Sequence, residues 1–297
     1  MLMLFLFQPN SYAADSAGLS YALNSDGSSY SVIGPGSFTG TALSIPSTYS
    51  GKPVTGVSAD AFYGSKIQTL TIPASVQTIE ENAFANCKSL KSVNISNGLI
   101  TVGDCSFAYC SNLESVNLPI SVTTMGKGVF YYCTSLKSTV LPPSLTKVSD
   151  YTFYNCISLE NIGIPTSAQN IGKYAFFNCR SMESIILPKS LVSLSEGAFC
   201  LCTGLKEIYV MGKISGVGSG AYYGVNAKFI YDSIRGDVDG DGKVTSDDAI
   251  RTLYYTLFPD SYEVNQPIDF DGDGKQTSDD AIYLLYYTLF AEQYPLH

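Results

Sequence analysis

Apolar and polar positions repeat every 22 or 23 residues through the long middle of the chain. Each unit contains a phenylalanine, and in six units a cysteine follows three residues later and begins the pattern Cys-x-x-Leu-x-x-Val-x-Ile or a close variant of it. The phenylalanines are Phe62, Phe84, Phe107, Phe130, Phe153, Phe176 and Phe199, and Tyr222 continues the series. A fixed period of this length predicts stacked units, because one unit alone cannot bury its apolar face. The pattern therefore predicts a solenoid.

Each unit should contain two elements. The alternating Val-x-Ile part predicts a short strand, and the segment of small residues around Phe-x-x-Cys predicts a tight helical turn. Pro119, Pro165 and Pro188 directly follow predicted strands and are expected to end them. Stacked at about 4.8 Å per coil, the strands should form one long parallel sheet on a concave face.

The repeats resemble a known family. The segments "CSNLESVNLPISVTTMGKGVF" and "CISLENIGIPTSAQNIGKYAF" look like leucine-rich repeats of the BspA-like bacterial surface proteins, and "LSIPSTYSGKPVTGVSADAF" resembles the usual first repeat of that family. The resemblance covers residues 40–231. It implies a secreted or surface-displayed binding protein whose ligand differs from member to member.

The first residues of the chain resemble the end of a signal peptide. Seven apolar residues are far too few to cross a bilayer, which needs about 20, and Ser11 and Ala13 offer a small-x-small cleavage site. The basic leader is missing, since the first cation is Lys52. Export through a truncated signal peptide over residues 1–13 is the prediction, with an ordinary apolar N-terminus as the alternative.

Six of the eight cysteines occupy one repeat position. They are Cys87, Cys110, Cys133, Cys156, Cys179 and Cys202. An exported chain with eight cysteines would ordinarily form disulfides, but a single repeat position favours a column of buried thiols. Cys105 and Cys200 lie outside this column. A catalytic cysteine is disfavoured because the only histidine is His297.

A second repeat position carries charge. Four residues after each column cysteine stand Lys91, Glu114, Lys137, Glu160, Glu183 and Lys206. Neighbouring strands should place mostly opposite charges side by side, which predicts a solvated ladder of salt bridges. The alternative is a ligand site on the same strand face, which also carries Asn94, Asn117, Ile186 and Tyr209.

The C-terminal part of the chain is acidic and duplicated. Residues 231–297 hold fourteen Asp and Glu against four Lys and Arg, a net charge of −10, whereas residues 1–230 hold twelve against thirteen, a net charge of +1. The segment "DVDGDGKVTSDD" recurs 32 residues later as "DFDGDGKQTSDD". Alternate carboxylates, a glycine at the sixth place and an acid at the twelfth have the spacing of a calcium-binding loop. Two calcium ions are predicted, with ligands Asp237, Asp239, Asp241, Lys243 and Asp248 in the first loop and Asp269, Asp271, Asp273, Lys275 and Asp280 in the second; the lysines contribute their carbonyls.

These loops depart from an ordinary EF-hand. The twelfth residue is Asp rather than Glu, and only a following helix is predicted for each loop. On these helices, one apolar face is formed by Ala249, Ile250, Leu253 and Leu257, and the other by Ala281, Ile282, Leu285 and Leu289. Two copies should supply enough apolar surface for one small core. Such tandem half-hands resemble a dockerin, which attaches a secreted protein to a cohesin module.

The dockerin resemblance implies partner-binding residues late in each loop and midway along each helix. They are Ser246, Asp247, Leu253, Tyr254, Ser278, Asp279, Leu285 and Tyr286. Many dockerins have a hydroxyl pair in the loop and a Lys-Arg pair on the helix, whereas this chain has Ser-Asp and Leu-Tyr. The departure implies a cohesin of a divergent type with a more apolar contact. Packing within the chain is the alternative role for Tyr254 and Tyr286.

Together these patterns predict two domains with different chemistry. The boundaries are 1–13 for the truncated signal peptide, 14–39 for an N-terminal cap, 40–231 for the leucine-rich repeat solenoid and 232–297 for a small all-α dockerin. No basic patch with interleaved aromatic residues is present, which argues against nucleic acid as a partner.

The functional prediction is a secreted, non-catalytic binding protein. The dockerin resemblance implies attachment to a cohesin on a cellulosome-type scaffold, within a polysaccharide-degrading system, while the repeats bind another partner. One alternative is a surface adhesin with a calcium-stabilised C-terminal cap. Another is a carbohydrate-active enzyme, which needs two carboxylates across a cleft; the acids of the solenoid lie mostly at repeating surface positions.

Overall fold

The computed structural model of the chain describes residues 18–231, 244–257 and 277–290. They belong to two compact units. One contains the repeats up to Lys228 apart from Tyr209–Lys213, and the other contains the two C-terminal helices. The first unit begins with a hairpin, in which β1 (Ser20–Leu23) pairs antiparallel with β2 (Tyr30–Gly34).

The coils of the solenoid contribute short strands that form two rows. The first row consists of β3 (Ala42–Ser44), β6 (Thr69–Ile72), β8 (Ser92–Ile95), β10 (Ser115–Asn117), β12 (Ser138–Val140), β14 (Asn161–Gly163), β16 (Ser184–Leu187), β18 (Glu207–Val210) and β20 (Lys228–Tyr231). The second consists of β5 (Lys52–Val57), β7 (Thr78–Ile79), β9 (Thr101–Val102), β11 (Thr124–Met125), β13 (Lys147–Val148), β15 (Asn170–Ile171), β17 (Ser193–Leu194) and β19 (Gly216–Val217). A further strand, β4 (Thr48–Tyr49), pairs antiparallel with β5.

The register of the parallel pairs reproduces the sequence period. Ser92 pairs with Ser115, Ser115 with Ser138, and Ser138 with Asn161, a step of 23 residues at each coil. The parallel solenoid predicted from the repeats is therefore confirmed.

The prediction of one continuous sheet is wrong, because both rows are interrupted. The first row divides into the sheets β14-β12-β10-β8-β6-β3 and β16-β18-β20. The second row divides between β11 and β13, and its first sheet runs through β2 to β1. The second row itself was not predicted, since its strands are mostly two residues long.

The phenylalanines form the central column of the core. All seven, from Phe62 to Phe199, are buried, and the rings of neighbouring coils stack with centroids between 5.1 and 6.0 Å apart. Tyr222 continues the stack at 5.8 Å from Phe199. Alternating strand residues such as Leu70 and Val116 are buried beside this column. The ring stack thus extends along the coils, as the period predicted.

The segment around each phenylalanine is a series of turns, and the predicted helical turn is wrong. Residues two before the ring have positive φ in every coil: Asp60, Asn82, Cys105, Gly128, Tyr151, Tyr174, Gly197 and Gly220. Residues two after the ring do so as well: Gly64, Asn86, Tyr109, Tyr132, Asn155, Asn178, Leu201 and Gly224. A right-handed helix requires negative φ, so two left-handed residues per coil prevent its formation.

The second unit contains two helices, α1 (Ser246–Leu257) and α2 (Ser278–Phe290), which pack against each other. At the start of α1, the Thr245 hydroxyl accepts the Asp247 N–H at 3.2 Å, and the Thr245 N–H donates to Asp248 Oδ2 at 2.8 Å. This arrangement is a variant of the capping box, in which the hydroxyl accepts from the second helical residue and Asp replaces the usual Glu. No helix in the described ranges is long and apolar enough to cross a bilayer.

Candidate functional site

Two of the ten predicted calcium ligands lie within the described residues, and they have the same environment. Asp248 and Asp280 are buried, with 0% and 1% of their surface exposed. Each accepts a backbone N–H through Oδ2, from Thr245 at 2.8 Å and from Thr277 at 2.7 Å. The duplicated sequence therefore gives duplicated geometry at the twelfth place of both loops.

The chemistry of these two carboxylates fits a calcium ion. Calcium prefers carboxylate and carbonyl oxygens, and an ionised carboxylate has about four acceptor sites, so helix capping and cation binding are compatible. The remaining predicted ligands lie outside the described residues: Asp237, Asp239, Asp241, Lys243, Asp269, Asp271, Asp273 and Lys275. Within 18–231 and the two helices, no three Asp, Glu, His or Cys residues come together as metal ligands.

The predicted partner-binding residues that the structure describes are on the surface. Ser246, Asp247 and Ser278 are exposed, and the leucines retain 37% of their surface at Leu253 and 41% at Leu285. The side chains of Tyr254, Asp279 and Tyr286 lie outside the described residues.

The prediction that the apolar helix faces form the core is wrong for most of their members. Ala249 and Ala281 are buried, as expected, together with Thr252 and Leu284. The larger aliphatic residues are instead exposed: Ile250, Leu253 and Leu257 on α1, and Ile282 and Leu285 on α2. The side chain of Leu289 lies outside the described residues. Among the described side chains, burial on each helix is confined to the capping aspartate and to a few residues near it, and the larger aliphatic side chains remain exposed.

On the solenoid, the predicted ladder of charges is only partly paired. Glu114 and Lys137 are 3.8 Å apart, and Glu183 and Lys206 are 2.9 Å apart; all four side chains are mostly exposed. Glu160 makes neither an ion pair nor a side-chain hydrogen bond within the described residues. It precedes Glu183 at the one step of this ladder where two like charges adjoin.

The first row of strands is interrupted at that same step. The N–H of each charged residue donates to the carbonyl of the one before it, from Glu160 to Lys137 at 2.9 Å and from Lys206 to Glu183 at 2.8 Å. The equivalent bond from Glu183 to Glu160 is absent from this described part of the chain. A cleft of about 600 Å³ lies here, lined by Glu160, Asn161, Arg180, Ser181, Glu183, Ser184, Gly204 and Lys206.

The buried column of thiols is confirmed, and it has a role that the sequence did not reveal. All eight cysteines are free, and the six column cysteines are fully buried. Each column thiol donates a hydrogen bond, at 2.8–3.2 Å, to the carbonyl of a phenylalanine in the preceding coil. Burial raises the pKa of Cys133 to about 12, so this thiol stays protonated and serves as a donor.

The two remaining cysteines also occupy repeat positions. Cys105 is the positive-φ residue two before Phe107, and it is half-buried. Cys200 follows Phe199 and is buried. Equivalent positions in other coils hold unrelated residues, so neither cysteine could be located from the repeat pattern.

Sequence reasoning also missed an aromatic cluster on the turn segments of the middle coils. Its members are Tyr109, Tyr131, Tyr132, Tyr151, Tyr154, Tyr174 and Phe177. Burial and neighbouring phenols raise the pKa of Tyr131 to about 12. Four of the tyrosines have positive φ, at positions where other coils use Gly or Asn. Bulky residues at such positions were the signal that could have revealed the cluster.

The fold and these repeat columns define a leucine-rich repeat solenoid. Residues 26–137 and 123–234 match the model of the BspA-type leucine-rich repeat region, which spans six copies of the repeat. The chain therefore belongs to the BspA-type leucine-rich repeat family. No curated protein sequence matches the chain.

Two solved structures illustrate the likeness. The leucine-rich repeat protein of T. pallidum is 27% identical, with 71% of this chain and 88% of that one covered and a TM-score of 0.53. A leucine-rich cell surface protein of Faecalibacterium prausnitzii is 22% identical, with 74% and 76% covered and a TM-score of 0.52. The second likeness supports the fold alone.

Proposed function

We propose that the chain is an exported, non-catalytic binding protein that docks through its C-terminal segment. The solenoid binds a protein partner, and the duplicated segment binds two calcium ions and attaches the protein to a cohesin. The observation that carries the proposal is the pair of buried aspartates, Asp248 and Asp280, with matching hydrogen bonds at the starts of two mutually packed helices.

Calcium would be held by the twelfth-place aspartates together with the acids and lysine carbonyls of the two loops. A bound ion would offset the mutual repulsion of the carboxylates that hold it. On the protein side, the Thr245 N–H and the Thr277 N–H hold one oxygen of each aspartate. That contact fixes the orientation of both carboxylates at a helix N-terminus, where negative charge is favoured.

The aliphatic surface of the two helices supports the docking role. Ile250, Leu253, Ile282 and Leu285 are 37–51% exposed. The part of these side chains that stays exposed adds nothing to the stability of the module, whereas covering it with a partner gains about 25 cal/mol for each Å² of apolar surface removed from water. The predicted partner is a cohesin with an apolar contact surface, because the helix positions that are Lys-Arg in many dockerins are Leu-Tyr in this chain.

Membership of the BspA-type family supports a binding role for the solenoid, and the apolar N-terminal residues support export. A place outside the cell is consistent with these features. By the dockerin resemblance, the scaffold would belong to a polysaccharide-degrading system.

Cohesin binding by the full chain tests the proposal. A panel of purified cohesins of divergent types is immobilised, and binding is followed by biolayer interferometry in calcium and in EDTA. At least one cohesin should bind in calcium only. The double variant Leu253→Asp with Leu285→Asp should lose this binding, because two buried, unpaired charges would be created in the contact.

A matched control is Ile120→Asp on the solenoid, where the isoleucine is 72% exposed; it should bind the cohesin like the wild type. If no cohesin binds although the chain takes up calcium, docking is rejected. The C-terminal segment would then be a calcium-stabilised cap on a surface adhesin.

A further inference from the structure

The interruption between β14 and β16 creates a site that the regular coils do not have. Elsewhere along the first row, each coil is joined to the next by parallel strand pairing, and between these two strands it is not. Two residues before Glu183, the coils are still joined by a bond from the Ser181 N–H to the Ile157 carbonyl at 3.2 Å. The cleft of about 600 Å³ lies at this interruption.

The charges at the cleft are incompletely paired. Of its four charged residues, Glu183 and Lys206 form an ion pair at 2.9 Å. Glu160 and Arg180 form no ion pair within the described residues, although the Arg180 Nε–H donates to Asn178 Oδ1 at 2.5 Å. One carboxylate and one guanidinium are therefore both exposed at the cleft and available to a ligand.

An apolar notch adjoins the polar cleft on the same strand face. Gly163 follows Asn161 by two residues, so the two positions point to the same side of β14. Gly163 pairs with Val140, which is 60% exposed, and Ile186 occupies the equivalent position in the next coil, with 58% exposed. A side chain added at Gly163 would meet nothing within 4 Å, so the glycine leaves a gap between two exposed aliphatic residues.

We propose that this cleft and notch bind an extended segment of a protein partner. The segment presents a basic side chain to Glu160, an acidic side chain to Arg180 and an aliphatic side chain to the notch at Gly163. The complementary charges of the two residues and the adjacent apolar gap together specify this occupant. The inference rests on the proposed binding role of the solenoid and names its site, but it requires neither calcium nor a cohesin.

The probe is a set of nine-residue peptides in a Gly/Ser background that carry one Lys, one Glu and one Leu in every order and spacing. Binding to the full chain is measured by fluorescence anisotropy, in EDTA and in calcium. Some of these peptides should bind, and their Kd should be the same in EDTA and in calcium. Replacing Lys by Gln in the best peptide should weaken it several-fold, as expected for an exposed charge pair.

Charge reversal gives the sharper result. Glu160→Lys should weaken the best peptide at least about tenfold, because like charges then face each other. Replacing the peptide Lys by Glu should restore binding to this variant. Gly163→Ile should fill the notch and weaken the same peptide, while a peptide with Leu replaced by Gly should bind wild type and variant alike.

The control is Glu81→Lys, at an exposed glutamate on a turn segment outside the cleft. Circular dichroism confirms that each variant is folded. The proposal is overturned if no peptide of the set binds, if Glu81→Lys weakens binding as much as Glu160→Lys, or if the reversed peptide fails to bind Glu160→Lys. None of these results bears on calcium-dependent docking, which is measured separately.

Discussion

The solenoid and the C-terminal segment of this chain are both built by repetition, but different forces stabilise the repeats. In the solenoid, equivalent residues of successive coils contact each other directly, as in the stack of phenylalanines from Phe62 to Phe199. Apolar burial and hydrogen bonds between coils stabilise it, with acids and bases nearly balanced. In the C-terminal segment the repeat brings like charges together, at a net charge of −10.

The two regions therefore differ in what stabilises their folded form. A solenoid coil is stabilised by its neighbours, which the same chain provides. By the proposed function, the duplicated acidic loops would need a cation to offset the repulsion of their carboxylates. The stability of the solenoid should therefore not depend on calcium but should fall with single core substitutions. The stability of the C-terminal segment should depend mainly on calcium.

The largest expected effect is on the phenylalanine column. Phe130 is fully buried between the rings of Phe107 and Phe153, at 6.0 and 5.6 Å. Phe130→Ala should lower the free energy of unfolding by about 3–5 kcal/mol, from lost burial and the cavity left behind. Urea unfolding followed by far-ultraviolet circular dichroism measures this. Tyr63→Ala, at a ring that is 57% exposed, should have little effect, and an equal loss in both variants would refute the columnar core.

The next effect concerns calcium and the C-terminal segment. At a calcium concentration 100-fold above Kd, binding stabilises the folded form by about 2.7 kcal/mol. Hydrogen exchange of the intact chain should therefore slow about 100-fold in α1 and α2 on addition of calcium, without change in the solenoid strands. Magnesium at the same concentration is the control for ionic strength. If calcium slows exchange equally in the solenoid strands and in the two helices, the proposed difference in calcium dependence between the two regions is wrong.

Alkaline pH should act on the thiol column. The pKa of Cys133 in the folded chain is about 12, above the ordinary value of 9.0, because the thiol is buried. Burial also raises the pKa of Cys156. Above pH 9 the unfolded chain releases protons that the folded chain retains. Stability is therefore full below pH 9 and should fall by about 1.4 kcal/mol per pH unit for each such thiol up to its folded pKa.

Urea unfolding between pH 8 and pH 10.5 measures this slope. Cys133→Ala should be less stable at pH 8 but should lose stability less steeply with pH, by the contribution of one thiol. A slope identical to that of the wild type would mean that the buried thiols do not govern the alkaline response. The C-terminal segment has no cysteine and should not contribute to this part of the slope.

The smallest effect separates backbone strain from packing. Gly64 has a φ of +69°, and an added Cβ would meet only Asn86 Nδ2 at 3.8 Å. Gly64→Ala should cost about 1 kcal/mol through left-handed strain alone. The matched control is Gly163→Ala, where the space is equally open and φ is not positive; it should be neutral or stabilising. Equal effects in urea unfolding would contradict the requirement for a left-handed residue.

The sequence predicted what depends on side-chain periodicity. The 23-residue step, the ring column and the burial of the thiols follow from apolar residues at equivalent positions, and Ser92, Ser115 and Ser138 pair in the register that the step requires. The fold class of the solenoid was predictable for this reason. The boundaries of the proposed domains stay predictions.

What depends on backbone conformation was less predictable. Tyr109 and Cys105 adopt positive φ, although neither residue type indicates it, so the turn segments were mistaken for helical turns. The interruption of the first row of strands beside Glu160 arises from hydrogen bonding between coils, and no single residue in the sequence predicts it. On the helices, the buried side chains lie beside the capping aspartates Asp248 and Asp280, and the larger aliphatic side chains are exposed. The apolar pattern alone does not show which of these residues face the other helix.

Calorimetric titration of calcium into the chelated full chain tests the central contrast most directly. Two ions should bind, and the double variant Asp248→Asn with Asp280→Asn should bind them at least about tenfold more weakly, since each site loses a charged ligand. Asp247→Asn, at an exposed neighbour that is not a predicted ligand, should bind like the wild type. Two binding events that are weakened only in the Asp248 and Asp280 variant would support a calcium-dependent segment beside a self-sufficient solenoid. If the wild type shows no heat of binding, this contrast is contradicted.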